Sequence, residues 1–200
     1  HRSSAIGATS NDKGDSKMQW SDTKTGYGWV SILLHWVVAL IIITLWGIGD
    51  WMQGIPEGEP NTLVDLHISI AASTWLLIWA RILWRIRSAH PRLKGQGSFS
   101  HNLAKCLHHL LLLAVALMLI SGPTMVWSAG HPVEAFGLFS ISSPFGELPW
   151  LNGVAATVHG VCADVIIVVT LLHVCGAFKH LMFNDDETFI RMLMPLRNKD

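Results

Sequence analysis

Residues 153–181 read GVAATVHGVCADVIIVVTLLHVCGAFKHL, an apolar run interrupted by Asp164, with Lys179 near its end and histidines at 159 and 173. As a helix rising 1.5 Å per residue this stretch is about 44 Å long, more than the ~30 Å hydrocarbon thickness of a bilayer. Three similar runs precede it. Trp29 to Gly49 has no charge, Thr62 to Trp84 carries Asp65 and Arg81, and Leu103 to Trp127 carries Lys105. None alternates with period two, and a backbone in lipid must satisfy its own hydrogen bonds, so each run reads as a helix. The expected class is all-α: a four-helix transmembrane bundle with spans at about 28–52, 62–85, 103–127 and 153–182.

The composition agrees with this reading. Of 200 residues, 50% are hydrophobic and 14% charged, against about 25% charged in a soluble domain. The 14 basic and 14 acidic residues cancel, so no basic field points to nucleic acid. Cys106, Cys162 and Cys175 lie in apolar stretches without metal-type spacing and read as small apolar side chains.

Charge placement orients the bundle. The loop from Met52 to Asp65 carries Glu57 and Glu59, and the loop from Ser128 to Asn152 carries Glu134 and Glu147; neither has a lysine or arginine. All 14 basic residues fall before Trp29, between Arg81 and Lys105, or from Lys179 onward. The positive-inside rule makes both termini and the middle loop cytoplasmic. Trp29, Trp51, Trp84, Trp127 and Trp150 lie near span ends, as an interfacial belt requires. Residues 1–25 are polar and expected to form a disordered cytoplasmic tail. In 184–200, Asp185 or Asp186 is expected to cap a short interfacial helix over TFIRMLM, ended by Pro195.

A coordinating residue inside a span is a functional candidate. With the chain starting inside, His35 and His173 fall in the inner half of the bundle, and His67 and His159 in the outer half. His159 and His173 are 14 residues apart, a rise of about 21 Å with an angular offset of roughly 40°. One helix therefore presents two stacked ligands, each met by a partner from another helix. A structural zinc takes four protein ligands. Haem iron needs only the two axial positions filled, which favours electron transfer over oxygen binding. No CxxCH occurs, so the haems would be of b type. Ala71, Ala72, Gly160 and Gly176 are small residues near the ligands, available for close approach of a macrocycle or for helix packing.

From Gly26 to Pro195 the chain resembles the bacterial cytochrome b561 family of four-helix inner-membrane proteins. The strings that carry the resemblance are ILLHWVVALIIITLW, DLHISIAASTWLLIWARILWR, HHLLLLAVALMLISG, GHPVEAFGLF, VHGVCADVIIVVTLLHVCGAFKHLMF and DDETFIRMLMP. The resemblance implies two haem b groups with axial ligands His35, His67, His159 and His173. It matches His108 to the family's third-helix histidine, with His109 as its competitor. His108, Lys179, His180, Arg81 and Arg85 are candidate quinone or propionate contacts, although the two arginines also suit snorkelling to the inner surface. His131 lies in a loop and reads as solvated. Asp164, roughly 140° from His159, is expected to make a helix contact away from the outer haem.

The leading function is transfer of electrons across the inner membrane and exchange with the quinone pool. The resemblance adds superoxide oxidation coupled to ubiquinone reduction. The alternatives are a haem-bearing anchor for a separate dehydrogenase or periplasmic electron carrier, and a non-haem transition-metal transporter using the same histidines. Membrane lipid and quinone are the expected partners, with superoxide or a periplasmic donor outside.

The outer charge pattern yields a test. With four glutamates and no lysine or arginine in the outer loops, steering of the superoxide anion is absent or adverse. Stopped-flow haem reduction by superoxide is expected to be no slower as salt is added. A near-diffusion-limited rate that falls with salt contradicts this reading.

Overall fold

The computed structural model describes residues 19–23, 26–56, 62–88, 98–183 and 190–195. Four helices dominate: α1 (Trp29–Met52), α2 (Thr62–Arg87), α3 (Ser98–Ser128) and α4 (Pro149–Phe183). Each is long and apolar enough to cross a membrane. Between α3 and α4 a short antiparallel hairpin pairs β1 (Val133–Ala135) with β2 (Phe139–Ile141). It is an addition to the all-α architecture.

The helices outrun their apolar stretches where polar backbone can still be satisfied. α3 starts at Ser98, ahead of the expected 103, and α4 at Pro149, ahead of 153. Proline suits the first turn of a helix because its missing N–H has no intrahelical partner there. At the other end of α3 the chain stops in a Schellman turn. Gly130 takes a φ of 82°, its N–H reaches the Trp127 carbonyl at 3.0 Å and that of His131 reaches Val126 at 3.2 Å. Carbonyls of the last turn also accept from the segment that follows: Asn152 Nδ2 donates to Met125 at 2.8 Å, Ser143 Oγ to Trp127 at 2.8 Å and the Leu148 N–H to Ser128 at 2.9 Å. These bonds join α3 to the start of α4.

The bundle consists of two antiparallel helical hairpins. α1 packs along α2, and α3 packs more extensively along α4; α2 touches α3 far less, and α1 and α4 are not closely packed. Val38, Ile78, Ile82 and Leu119 form the buried core, flanked by Ile41, Leu77, Trp79, Leu112 and Val115. Most other apolar side chains of the spans are half-buried or exposed, as lipid contact requires. Arg81, Arg85 and Arg87 on α2, Lys105 on α3 and Lys179 on α4 share one end of the bundle, the basic end; Glu134 and Glu147 belong to the opposite, acidic end.

Residues 1–18 lie outside the described residues; residues 19–23 are held against the start of α1. Helix α1 begins after Gly28 without a side-chain cap of its own. The Gln19 and Trp20 carbonyls accept from the Trp29 and Val30 N–H groups at 3.0 and 3.3 Å. Asp22 accepts from the Gly28 N–H at 2.8 Å and from the Ser31 hydroxyl at 2.7 Å, and Ser31 in turn accepts from Trp84 Nε1 at 2.7 Å. A Cβ at residue 28 would collide with the Trp20 backbone, so only glycine fits there. At the other terminus, the described part of the stretch 188–194 holds a 3₁₀ turn, Ile190–Met192. Trp36 Nε1 donates to the Met192 carbonyl at 2.7 Å, which holds this turn against α1. Residues 184–189, including Asp185 and Asp186, lie outside the described residues.

A hydrogen bond between the hairpins uses a carbonyl that Pro123, inside α3, leaves free. Proline has no N–H for the carbonyl four residues back, at Leu119. Trp75 Nε1 of α2 donates to that carbonyl at 2.9 Å. Replacing Trp75 with Phe keeps a ring and strands the carbonyl, an expected destabilisation of about 1–3 kcal/mol. Reversible unfolding by titration with a denaturing detergent measures it; an unchanged midpoint means that the bond contributes nothing.

Candidate functional site

Five half-buried histidines line the seam between the two hairpins: His35 on α1, His67 on α2, His108 on α3, and His159 and His173 on α4. They form two groups. At the basic end His35 faces His173 with ring centres 6.3 Å apart and planes at 64°. At the acidic end His67 faces His159, also at 6.3 Å, with planes at 71°. Each pair takes one member from each hairpin. The helix register explains this: 14 residues bring α4 back to nearly the same face, so one stripe of α4 serves both ends.

The test of a haem is whether these residues fit one. An imidazole nitrogen holds a first-row metal at about 2 Å and the ring centre lies about 1 Å behind it, so two trans imidazoles have centres about 6 Å apart. Both pairs meet that spacing. Nδ1 of His67 is buried and makes no hydrogen bond of ordinary geometry, with the Leu45 backbone the polar group beside it. Among the described residues no group of three or more His, Cys, Asp or Glu side chains forms a metal cage. Paired imidazoles without carboxylate or thiolate suit an iron whose other four ligands come from a porphyrin.

The surroundings of the two pairs differ. His108 lies edge-on to His173, ring centres 5.0 Å apart, and its Nδ1 meets the Ala104 carbonyl at 2.6 Å. That distance is short of the spacing of the two facing pairs. Arg81 and Arg85 lie within electrostatic reach of His35, and Asp22 and Tyr27 within reach of Arg81. The amino-terminal segment thus brings a carboxylate to the basic end. His109 is exposed, its Nδ1 on the Lys105 carbonyl at 2.7 Å. Lys179 is exposed near the end of α4; the His180 side chain lies outside the described residues.

At the acidic end two glycines face the imidazoles. A Cβ at Gly49 of α1 would rest 3.6 Å from His67 Cε1, and one at Gly122 of α3 would rest 3.4 Å from His159 Cε1. At Gly160 or Gly176 a Cβ would meet nothing within 4 Å. Ser121 Oγ lies 3.3 Å from His159 Nδ1. Gly49, Ser121 and Gly122 escaped the sequence reading. The available signal was the polar and helix-breaking triplet Ser121–Gly122–Pro123 within an apolar span.

The β hairpin closes over the same end. Phe136 and Gly137 have φ of 50° and 68°, and Leu138 N–H reaches the Ala135 carbonyl at 2.8 Å, a type I′ turn. Val133 and Ala135 are buried against α2, and the Phe136 N–H donates to Ser69 Oγ at 3.1 Å, two residues along α2 from His67. His131 is exposed at the start of this segment. Asp164 is exposed on α4, on the side turned away from buried Cys162, Ile166 and Val169.

Comparison with known proteins agrees with this geometry. A curated protein of Escherichia coli (strain K12), cytochrome b561 homolog 2, is 27% identical over 179 residues, 88% of this chain and 95% of that protein. The family model for prokaryotic cytochrome b561 matches residues 26–195, a stretch that takes in all four helices and both histidine pairs. The chain therefore belongs to the prokaryotic cytochrome b561 family, membrane proteins that bind haem b and carry electrons.

Proposed function

We propose that this protein carries two haem b groups, one held by His35 and His173 and the other by His67 and His159, and conducts electrons between the two faces of the inner membrane. The observation that carries this reading is the pair of 6.3 Å imidazole spacings, one at each end of the bundle. Haem b, when bound, supplies a one-electron iron couple. His35, His173, His67 and His159 would hold and orient it through their imidazole nitrogens, a ligand set suited to electron transfer more than to oxygen binding. Val38, Ile78, Ile82 and Leu119 pack together, and Val38, Ile78 and Leu119 fall at depths between the two pairs by helix rise, where they keep water from the middle of the bundle. An apolar layer of this kind opposes passage of ions and protons while leaving electron transfer open.

Both termini are assigned to the cytoplasm, with the basic end inside. Quinone exchange is assigned to that end. Lys179 and His180 follow His173 by six and seven residues, about 9–10 Å along α4, which is near headgroup depth. Their side chains can hold or donate a proton at a quinone carbonyl, and His108 with Arg81 and Arg85 supplies further contacts for quinone or haem propionates. The acidic end, with Glu134 and Glu147, suits a neutral or cationic electron donor better than an anion such as superoxide.

Two outcomes are expected. A pyridine haemochrome assay gives two haems per chain; His35→Ala or His173→Ala removes one of them, and His67→Ala or His159→Ala removes the other. One haem or none in the unmodified chain refutes the reading. The double variant Lys179→Ala/His180→Ala slows quinone-dependent haem oxidation about tenfold or more, the scale of one lost charge-assisted hydrogen bond. An unchanged rate puts the quinone site elsewhere.

A further inference from the structure

The acidic-end pair has a polar neighbour that is not a ligand. Ser121 is 4% exposed and lies on α3 at the level of His159. Its hydroxyl has one proton, and the Met118 carbonyl accepts it at 3.4 Å. The oxygen's lone pairs are then left to accept from His159 Nδ1, 3.3 Å away, in the tautomer that carries its proton there. A neutral imidazole carries one N–H. Placing it at Nδ1 leaves the Nε2 lone pair for a metal.

Two neighbours fix the hydroxyl's place. Gly122 sets the α3 backbone beside the imidazole edge, where a Cβ would make ordinary contact at 3.4 Å from Cε1 and 3.7 Å from Nδ1 of His159. Pro123 interrupts the helix ladder at the same turn, and the Trp75 indole takes the carbonyl it frees. The triplet is thus anchored to α2 on one side and to His159 on the other.

Resting on the ligand assignment above, we propose that Ser121 is a positioning residue for the acidic-end haem: by accepting from His159 Nδ1 it sets the tautomer and ring orientation that turn Nε2 to the iron, and it lowers the midpoint potential of that haem. A ligating histidine whose second nitrogen donates a hydrogen bond is a more basic ligand. A more basic ligand favours the ferric state. Ser121 reaches only the acidic-end pair, so the two haems respond differently to its loss.

The test is a potentiometric titration of the full-length, haem-loaded protein in lipid nanodiscs, with electron paramagnetic resonance of the low-spin ferric signals. The acidic-end component is the one absent from His67→Ala. Ser121→Ala, and Ser121→Cys with its weaker acceptor, raise the midpoint of that component. At the unmodified midpoint its ferrous-to-ferric ratio rises about threefold or more, and the other component stays put. Ser121→Thr restores the hydroxyl and the unmodified potential. If Ser121→Ala fails to fold, the Cys and Thr variants carry the same comparison.

Two haems with an unmoved acidic-end component, both components moving together, or Ser121→Thr shifting as far as the other variants overturns the proposal and leaves the ligand assignment standing. Fewer than two haems in the unmodified chain overturns the ligand assignment and this inference with it.

Discussion

Two helical hairpins meet along a seam lined by imidazoles, and the rest of the fold depends on the distance that seam maintains. Close packing of α1 on α4 would bring facing histidines into contact and leave no room for a metal between them. The tight contacts lie instead within hairpins, through Ser31 and Trp84 in one and Asn152 and Met125 in the other. Between hairpins a small apolar core and the Trp75 bond to Leu119 set the spacing at mid-height. The two histidine pairs sit above and below that contact at the same 6.3 Å separation.

The spans and the pairs were legible in the sequence because each follows from a one-dimensional rule. Lipid demands long apolar helices, and up-down threading converts position along the chain into depth, so His35 falls with His173 and His67 with His159. The neighbours of the pairs were not legible. Ser121 and Gly122 matter only because one face of α3 meets α4 at His159, and helix rotation about its own axis is set by packing, not by hydropathy. Strands of three residues carry no readable period, so the hairpin over α2 was hidden in a loop. At the amino terminus Asp22 bonds Ser31 across nine residues, a reach that polar composition does not show.

The two ends also differ in what surrounds the histidines. The basic end has a third imidazole, arginines and the Asp22 carboxylate, all able to carry or exchange charge near the membrane surface. The acidic end has bare glycine backbone, one serine hydroxyl and a hairpin fastened to Ser69. One end is surrounded by ionisable side chains, the other by backbone and a single hydroxyl.

Asp164 bears on how the chain enters the membrane at all. Near the centre of a helix an aspartate opposes insertion by about 2.5–3.5 kcal/mol, whereas each Leu, Ile, Phe or Val favours it by about 0.3–0.6. The nine Val, Ile and Leu residues between 161 and 174 therefore contribute about 3–5 kcal/mol in the opposite direction. Around its acid, α4 is close to neutral for partitioning from the translocon, and its flanks, together with the bonds that tie its start to the end of α3, tip the balance. The hairpin of α3 and α4 is thus favoured to enter lipid as a unit.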